Sequence, residues 1–153
     1  EVSMAIILAA ITRSLLIAII SILVFSIIIE LHIYSIVFIF IFSFLGSFIL
    51  GALGFITGLW AEKFDHTATV TNFVITPLSF LSGVFYSIDR LPPFFLVISS
   101  FNPFFYVIDG FRYGFLGVSD GSVFFGIIYL TILAIIIGFI AFYLYKKGYK
   151  IKS

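Results

Sequence analysis

The sequence predicts an all-α integral membrane protein, and three observations lead to this fold class. The 153-residue chain is 63% hydrophobic and 10% charged, with a mean hydropathy of +1.32, which is far from the balance of a soluble domain. Its apolar runs are long enough to cross a hydrocarbon core of about 30 Å, which requires roughly 20 helical residues. A Phe-rich segment near the last run is too apolar for a solvated loop and too often broken for a span. We therefore expect four transmembrane helices plus an extracytoplasmic re-entrant or interfacial helical hairpin between the third and fourth, in a single domain 1–153.

The predicted spans cover about residues 5–29, 33–60, 67–86 and 122–145. In the first span, the long side chain of Arg13 can extend to the membrane interface. Tyr34 and Trp60 are typical of aromatic residues at the two interfaces of the second span. The third span contains Pro77, which membrane helices tolerate with a kink. Gly83, near its outer end, indicates a second kink or a close helix approach.

The distribution of Lys and Arg predicts the orientation. With the N-terminus inside, Arg13, Lys63 and four lysines of the C-terminal tail are cytoplasmic, and only Arg90 and Arg112 are outside, which gives six against two. We therefore expect a multi-pass plasma membrane protein, of a bacterial inner membrane type, with both termini in the cytoplasm.

The predicted outer hairpin covers about residues 91–118 and consists of two apolar halves, each about half a span long. Because both of its ends lie on one side, it is typical of a re-entrant or interfacial element. Pro92 and Pro93 precede the first half, where a proline in the first helical turn is favoured. Asn102 is a candidate N-cap for the second half, which Pro103 opens.

Two charged residues of the hairpin are spaced for pairing. Asp109 and Arg112 are three residues apart and therefore lie on one helix face, where pairing lowers the cost of a charge near lipid. Two interpretations remain open: an ion pair that stabilises the hairpin, or a contribution to an extracytoplasmic gate.

The order of motifs from Asn72 onward also carries a family resemblance. The chain reads N-F-x-x-x-P-L-x-F-L-S-G-x-F-Y, then an L-P-P turn, then N-P-F-F-Y-x-I-D-G-F-R-Y-G-F-L-G. Over about residues 71–117 this resembles the permease subunit of ABC type-2 exporters, the multidrug and polysaccharide export class. The resemblance implies a six-helix permease, with a second permease copy as a homodimer or pseudodimer. It also implies two cytoplasmic ABC ATPase subunits and export of an amphipathic, lipid-linked or drug-like substrate.

The chain departs from that pattern because it has four predicted spans. We expect that two N-terminal helices of the six are not included in it. In this setting the residues of a candidate outer hairpin or gate are Pro92, Pro93, Asn102, Pro103, Tyr106, Asp109 and Arg112. The Phe-rich hairpin is also a candidate contact with membrane lipid or lipid-like cargo.

Two further groups have competing interpretations. The residues that could face the ATPase are Arg13, Glu62, Lys63, Asp65 and His66, although the short loop among them is more typical of a solvated turn that sets topology. Gly54 and Gly58 have the G-x-x-x-G spacing that allows close helix approach. They indicate either a dimer seam or, as we expect, packing against a helix of the same subunit.

Composition also excludes several classes of function. The chain has no Cys, which excludes disulfides and thiolate sites, and its two His lie on opposite faces by the predicted topology, which argues against zinc. No Gly-x-x-x-x-Gly-Lys-Ser/Thr loop is present, so we expect no enzyme activity or bound cofactor, with ATP used by a partner subunit. The net charge of +1 gives no nucleic-acid signature. An intramembrane enzyme would need reactive groups that the spans lack, whereas a non-transporting membrane scaffold remains the alternative.

Overall fold

The computed structural model describes residues 2–28, 32–61, 63–84 and 92–147 of the chain. All regular structure within these ranges is helical, which confirms the predicted all-α membrane class. The helices are α1 (Val2–Ile28), α2 (Ile36–Trp60), α3 (Phe64–Val70), α4 (Thr76–Phe80), α5 (Pro93–Ser100), α6 (Pro103–Leu116) and α7 (Val123–Lys146), with a π-helical turn, Thr71–Ile75, between α3 and α4.

Three of the described helices are long and apolar enough to cross a membrane. They are Ala5–Ile28 within α1, Ile36–Trp60, which is all of α2, and Val123–Lys146, which is all of α7. They correspond to the first, second and fourth predicted spans. Helices α5 and α6 together have the composition of a span but are bent by 83° at the break between them. The predicted broken segment is therefore present as two helices that meet nearly at a right angle.

The predicted third span is a helix of three joined pieces. Helix α3, the π-helical turn and α4 contain 7, 5 and 5 residues, so together they rise about 25 Å at roughly 1.5 Å per residue. The predicted end of this span at Tyr86 lies outside the described residues. The part that is described is somewhat shorter than the hydrocarbon core.

Helix α2 is central, because α1, α6 and α7 all pack against it. Phe42 of α2 and Leu130 of α7 are fully buried in this core. Helices α1 and α2 are also joined by a hydrogen bond of 2.5 Å between the hydroxyls of Ser14 and Ser47. Most large apolar side chains on the outer faces of α1 and α7 are exposed, as expected for helices whose solvent is lipid. The arrangement leaves α6 as the element that connects the hairpin to the core.

Candidate functional site

Helix α6 runs antiparallel to α2 and enters the bundle from the end where α2 begins. Near that end, the backbone N–H of Ser35 donates to the carbonyl of Gly114 at 2.8 Å. Farther along, Val107 lies against Gly46, eleven residues beyond Ser35 and about 16 Å along α2. The hairpin therefore re-enters to the middle of α2. Its packing beside α2 favours the re-entrant over the interfacial interpretation of the hairpin.

Close packing of α6 on α2 depends on two glycines that the sequence analysis did not select. A Cβ on Gly110 would overlap the ring of Phe42, and a Cβ on Gly114 would lie 2.9 Å from the backbone nitrogen of Ile39. Such distances leave no room for a side chain. Gly110 and Gly114 have the same G-x-x-x-G spacing as Gly54 and Gly58. The spacing indicates that either pair could allow close helix approach, but it does not tell which pair has another helix packed against it.

Both helices of the hairpin begin at the residues expected from the sequence, and the break between them, at Phe101 and Asn102, forms the tip of the hairpin. Pro93 opens α5, preceded by Pro92, and Pro103 opens α6. The side chain of Asn102 caps α6 by accepting a hydrogen bond of 3.0 Å from the backbone N–H of Phe104. The predicted N-cap is therefore confirmed. The fixed φ of proline favours helix starts at these points.

Two tyrosines satisfy the backbone carbonyls at the tip. The Tyr106 hydroxyl donates to the carbonyl of Ser100 at 2.8 Å, and the Tyr129 hydroxyl of α7 donates to the carbonyl of Phe101 at 2.7 Å. The Tyr106 ring also packs on that of Tyr129, with centroids 4.9 Å apart. Carbonyls left without partners at this depth would cost several kcal/mol each. These bonds are what allow a break in the helix to exist there.

The tip is bonded to the end of α4 as well. The Asn102 amide donates to the carbonyl of Leu78 at 2.6 Å, and the Ser99 hydroxyl donates to the carbonyl of Leu81 at 3.0 Å. Ser99 and Asn102 are both buried. Among the described residues, these two bonds connect the end of α4 to the hairpin.

Asp109 and Arg112 form the predicted ion pair, with Nη2 and Oδ1 2.6 Å apart. The structure adds a third member, because the same guanidinium nitrogen lies 2.8 Å from a carboxylate oxygen of Asp120. The Asp109 carboxylate also accepts the backbone N–H groups of Asp120 at 2.8 Å and Gly121 at 2.9 Å. Asp109 is only 3% exposed. Its contacts fasten the loop between α6 and α7, which supports the structural interpretation of the pair.

Proline and glycine in the α3–α4 helix occupy special positions. Pro77 lies in the first turn of α4, directly after the π-helical turn. The bend expected at Pro77 stays a prediction, whereas the widened turn beside it was not foreseen. Gly83 has a φ of +79°, which places it in the left-handed region that favours glycine. Gly83 lies beyond the end of α4, and the kink or close helix approach expected there stays a prediction.

Gly54 and Gly58 are not packed against a helix of the described chain. A Cβ on either would meet no described atom within 4 Å, so the expected covering helix is not found in the described part of the subunit. Instead, both glycines line a groove of about 910 Å³ between α1, α2 and α6. Ser14, Ser47 and Phe111 contribute to the same walls. The dimer-seam interpretation stays a prediction.

The candidate ATPase-facing residues lie on two elements. Arg13 is exposed on α1, and Lys63 and Asp65 are exposed at the start of α3. The His66 ring packs against that of Trp60, with centroids 5.3 Å apart, which joins α3 to the end of α2. Glu62 lies outside the described residues. Within the described ranges, no group of three or more His, Cys, Asp or Glu residues is arranged to hold a metal ion.

Comparisons with known proteins agree on one family. Residues 1–116 match the family described as ABC-2 type transporter. Over 111 residues the chain is 36% identical to the inner membrane transport permease YadH of Escherichia coli K12, and equally to that of Shigella flexneri. The alignment covers 71% of this chain and 43% of each permease, so the chain spans less than half the length of the curated relatives it matches. No solved structure matches the chain.

Proposed function

Because this chain belongs to the ABC-2 type transporter family, we propose that it is the permease part of an ATP-driven exporter. In this proposal it moves an amphipathic, lipid-linked or drug-like substrate outward across the membrane. A separate cytoplasmic ATPase subunit supplies the energy, and a second permease copy completes the pathway. Both termini, and the segment from Glu62 to His66, are on the ATPase side, as the six-to-two bias of Lys and Arg indicates.

The observation that carries the proposal is the inserted hairpin. Its broken backbone lies at the depth of the middle of α2, and four hydrogen bonds from side chains secure the tip to itself, to α4 and to α7. A protein that only anchors partners in a membrane does not need a broken helix at this depth. Broken helices inside a membrane are typical of transport pathways, where irregular backbone is surrounded by protein or water.

Exposed polar groups on the α3–α4 helix support the same proposal. Asn72 is exposed in the described structure, as are Thr69 and Thr76, whose hydroxyls are bonded to backbone carbonyls of the same helix. The support therefore comes from the amide of Asn72. Polar side chains within a membrane segment face protein or a water-filled path rather than lipid. A surface of this kind fits the wall of a permeation route better than a lipid-facing scaffold.

The test is made on the full-length protein, coexpressed with the ABC ATPase proposed as its partner. We expect the two to purify together, and inside-out vesicles containing them to accumulate a fluorescent amphipathic dye when ATP is added. A substitution that abolishes hydrolysis in the ATPase serves as the matched control, because it should stop dye movement while the complex stays assembled. Dye movement that persists with the inactive ATPase, or an isolated permease without an ATPase partner, would instead favour the scaffold.

A further inference from the structure

The π-helical turn Thr71–Ile75 has a hydrogen-bond pattern that differs from that of the helices on either side. The backbone N–H of Thr76 donates to the carbonyl of Thr71, five residues earlier, where an α-helix would use the residue four earlier. Such single turns within α-helices are uncommon and occur frequently at functional sites and kinks. This turn therefore requires a physical explanation.

The Thr76 side chain follows the same register as its backbone. Its hydroxyl donates to the Thr71 carbonyl at 2.9 Å, so that one carbonyl accepts both groups of Thr76. Other hydroxyls of this helix bond four residues back: Thr69 donates to the carbonyl of Asp65 at 2.7 Å, and Ser79 to that of Ile75 at 2.8 Å. Both donors of Thr76 thus follow the π register in this structure, whereas the α register would require its hydroxyl to move to the carbonyl of Asn72.

Pro77 destabilises the α register at this turn and so reduces its energetic advantage over the π register. It has no backbone N–H, so the α register would gain no hydrogen bond at this residue, and its ring would press on the carbonyl of Phe73. The turn is also unobstructed, since Thr71, Asn72 and Phe73 are exposed, and among the described helices only α3 and α4 pack extensively against it. A change of register therefore meets little steric resistance within the described structure.

The end of α4 transmits such a change to the hairpin. A change of one residue in register corresponds to about 1.5 Å of rise and roughly 100° of rotation in a helix. The carbonyls of Leu78 and Leu81 lie beyond the turn and are bonded to Asn102 and Ser99 at the hairpin tip. Their displacement moves the tip or breaks these bonds.

We infer that the turn Thr71–Ile75 is a two-register hinge, held in its π register by Thr76, and that a switch to the α register repositions the hairpin tip through Asn102 and Ser99. The use of this hinge in export rests on the proposed function. The register change itself does not, because it follows from hydrogen bonds within the chain.

The hinge can be tested with two spin labels, since the chain has no native Cys. Val97→Cys on α5 and Ile36→Cys at the start of α2 introduce labels at exposed positions. In the full-length protein with its ATPase in lipid nanodiscs, pulsed dipolar spectroscopy should give two distance populations. Thr76→Val should change their ratio by about five-fold in favour of the second, because it removes one hydrogen bond from the π register.

Two further variants sharpen the result. The matched control Thr69→Val removes a hydroxyl bond from the same helix without touching the turn, and should leave the ratio unchanged. Deletion of Val74 removes the extra residue of the turn and should leave only the second population. A single distance in both the parent protein and Thr76→Val, or equal shifts in Thr76→Val and Thr69→Val, overturns the inference.

Addition of ATP separates the hinge from the proposed function. If Thr76→Val shifts the ratio but ATP does not, the hinge stands and ATP-driven transport loses support. In another outcome, the partner ATPase hydrolyses ATP and dye is exported, but neither ATP nor Thr76→Val changes the label distances. The hinge is then refuted and the transport function stands. If the ratio responds to both, the hinge operates within the transport cycle.

Discussion

The buried carboxylate of Asp109 accepts a hydrogen bond of 2.9 Å from the backbone N–H of Gly121, twelve residues later in the chain. Gly121 is fitted to this position, because a Cβ there would lie 3.0 Å from the ring of Phe105 and 3.4 Å from the carboxylate itself. One side chain of α6 therefore fixes the loop from which α7 starts. The carboxylate of Asp109 therefore connects α6 to the start of α7.

We predict that Asp109→Ala lowers the free energy of unfolding by about 2–4 kcal/mol, since the backbone N–H groups of Asp120 and Gly121 lose their acceptor. Arg112 retains Asp120 as a partner, so it is not left as an isolated charge. Denaturant unfolding of the purified protein in detergent measures the loss. Asp109→Asn, which keeps the shape and one acceptor oxygen, should cost less.

The double variant Asp109→Ala/Arg112→Ala gives a second, independent expectation. If the pair were isolated, removal of Arg112 would relieve the damage caused by Asp109→Ala. Because Asp120 also binds Arg112, we expect the double variant to be no more stable than Asp109→Ala alone in the same unfolding experiment. A clear gain in stability would mean that Asp120 does not hold Arg112.

A comparison of two Gly→Ala variants tests whether α6 packs on α2 through Gly110. Gly110→Ala should destabilise the chain by about 1–3 kcal/mol, because a Cβ there overlaps the ring of Phe42. Gly54→Ala, the matched control, meets open space and should leave folding stability unchanged or raise it by up to about 1 kcal/mol, because Ala is the better helix former. Thermal unfolding of the two variants side by side decides the point. Equal losses would contradict the arrangement of α6 on α2.

The hydrogen bond from Tyr129 to the hairpin tip should be measurable. Tyr129→Phe removes the donor to the carbonyl of Phe101, so we expect the free energy of unfolding to fall by several kcal/mol, the cost of a carbonyl without a partner at this depth, and amide hydrogen exchange near the tip to become faster. Tyr143→Phe, an exposed position on the same helix, is the control and should behave like the parent protein. An unchanged exchange rate in Tyr129→Phe would show that the tip is held by other bonds.

The proposed orientation predicts a simple labelling pattern. Val118→Cys, at an exposed residue after α6, should react with a membrane-impermeant thiol reagent in intact cells. Lys147→Cys, after the end of α7, should react only once the cells are permeabilised. The reagent reports sidedness directly because the chain contains no native Cys. The reverse pattern would contradict the bias of Lys and Arg as a guide to topology.

Local features of this fold were predictable from the sequence, whereas features that join distant segments were not. The start of α6 at Pro103, its Asn102 cap and the Asp109–Arg112 pair depend on residues at most three apart, and the structure confirms them. The role of Asp120 depends on how the loop before α7 folds back, which local spacing does not contain.

The two G-x-x-x-G pairs show the same limit in helix packing. Gly54 with Gly58 and Gly110 with Gly114 have one spacing, yet only the second pair lies against a helix of the described chain. The spacing shows which face of a helix carries small residues, and the tertiary arrangement determines whether another backbone packs against that face. The π-helical turn was missed for a related reason, since Pro77 predicts a disturbance but not its form.

The bond between Tyr129 and Phe101 also constrains the biogenesis of the protein. The donor follows its acceptor by 28 residues and belongs to α7, the last described helix to leave the ribosome. Until α7 is inserted, the Phe101 carbonyl has no such partner and is costly to bring into hydrocarbon. We therefore expect the hairpin to reach its final depth only after synthesis of α7. A nascent chain arrested before Tyr129 would keep its hairpin at the membrane surface.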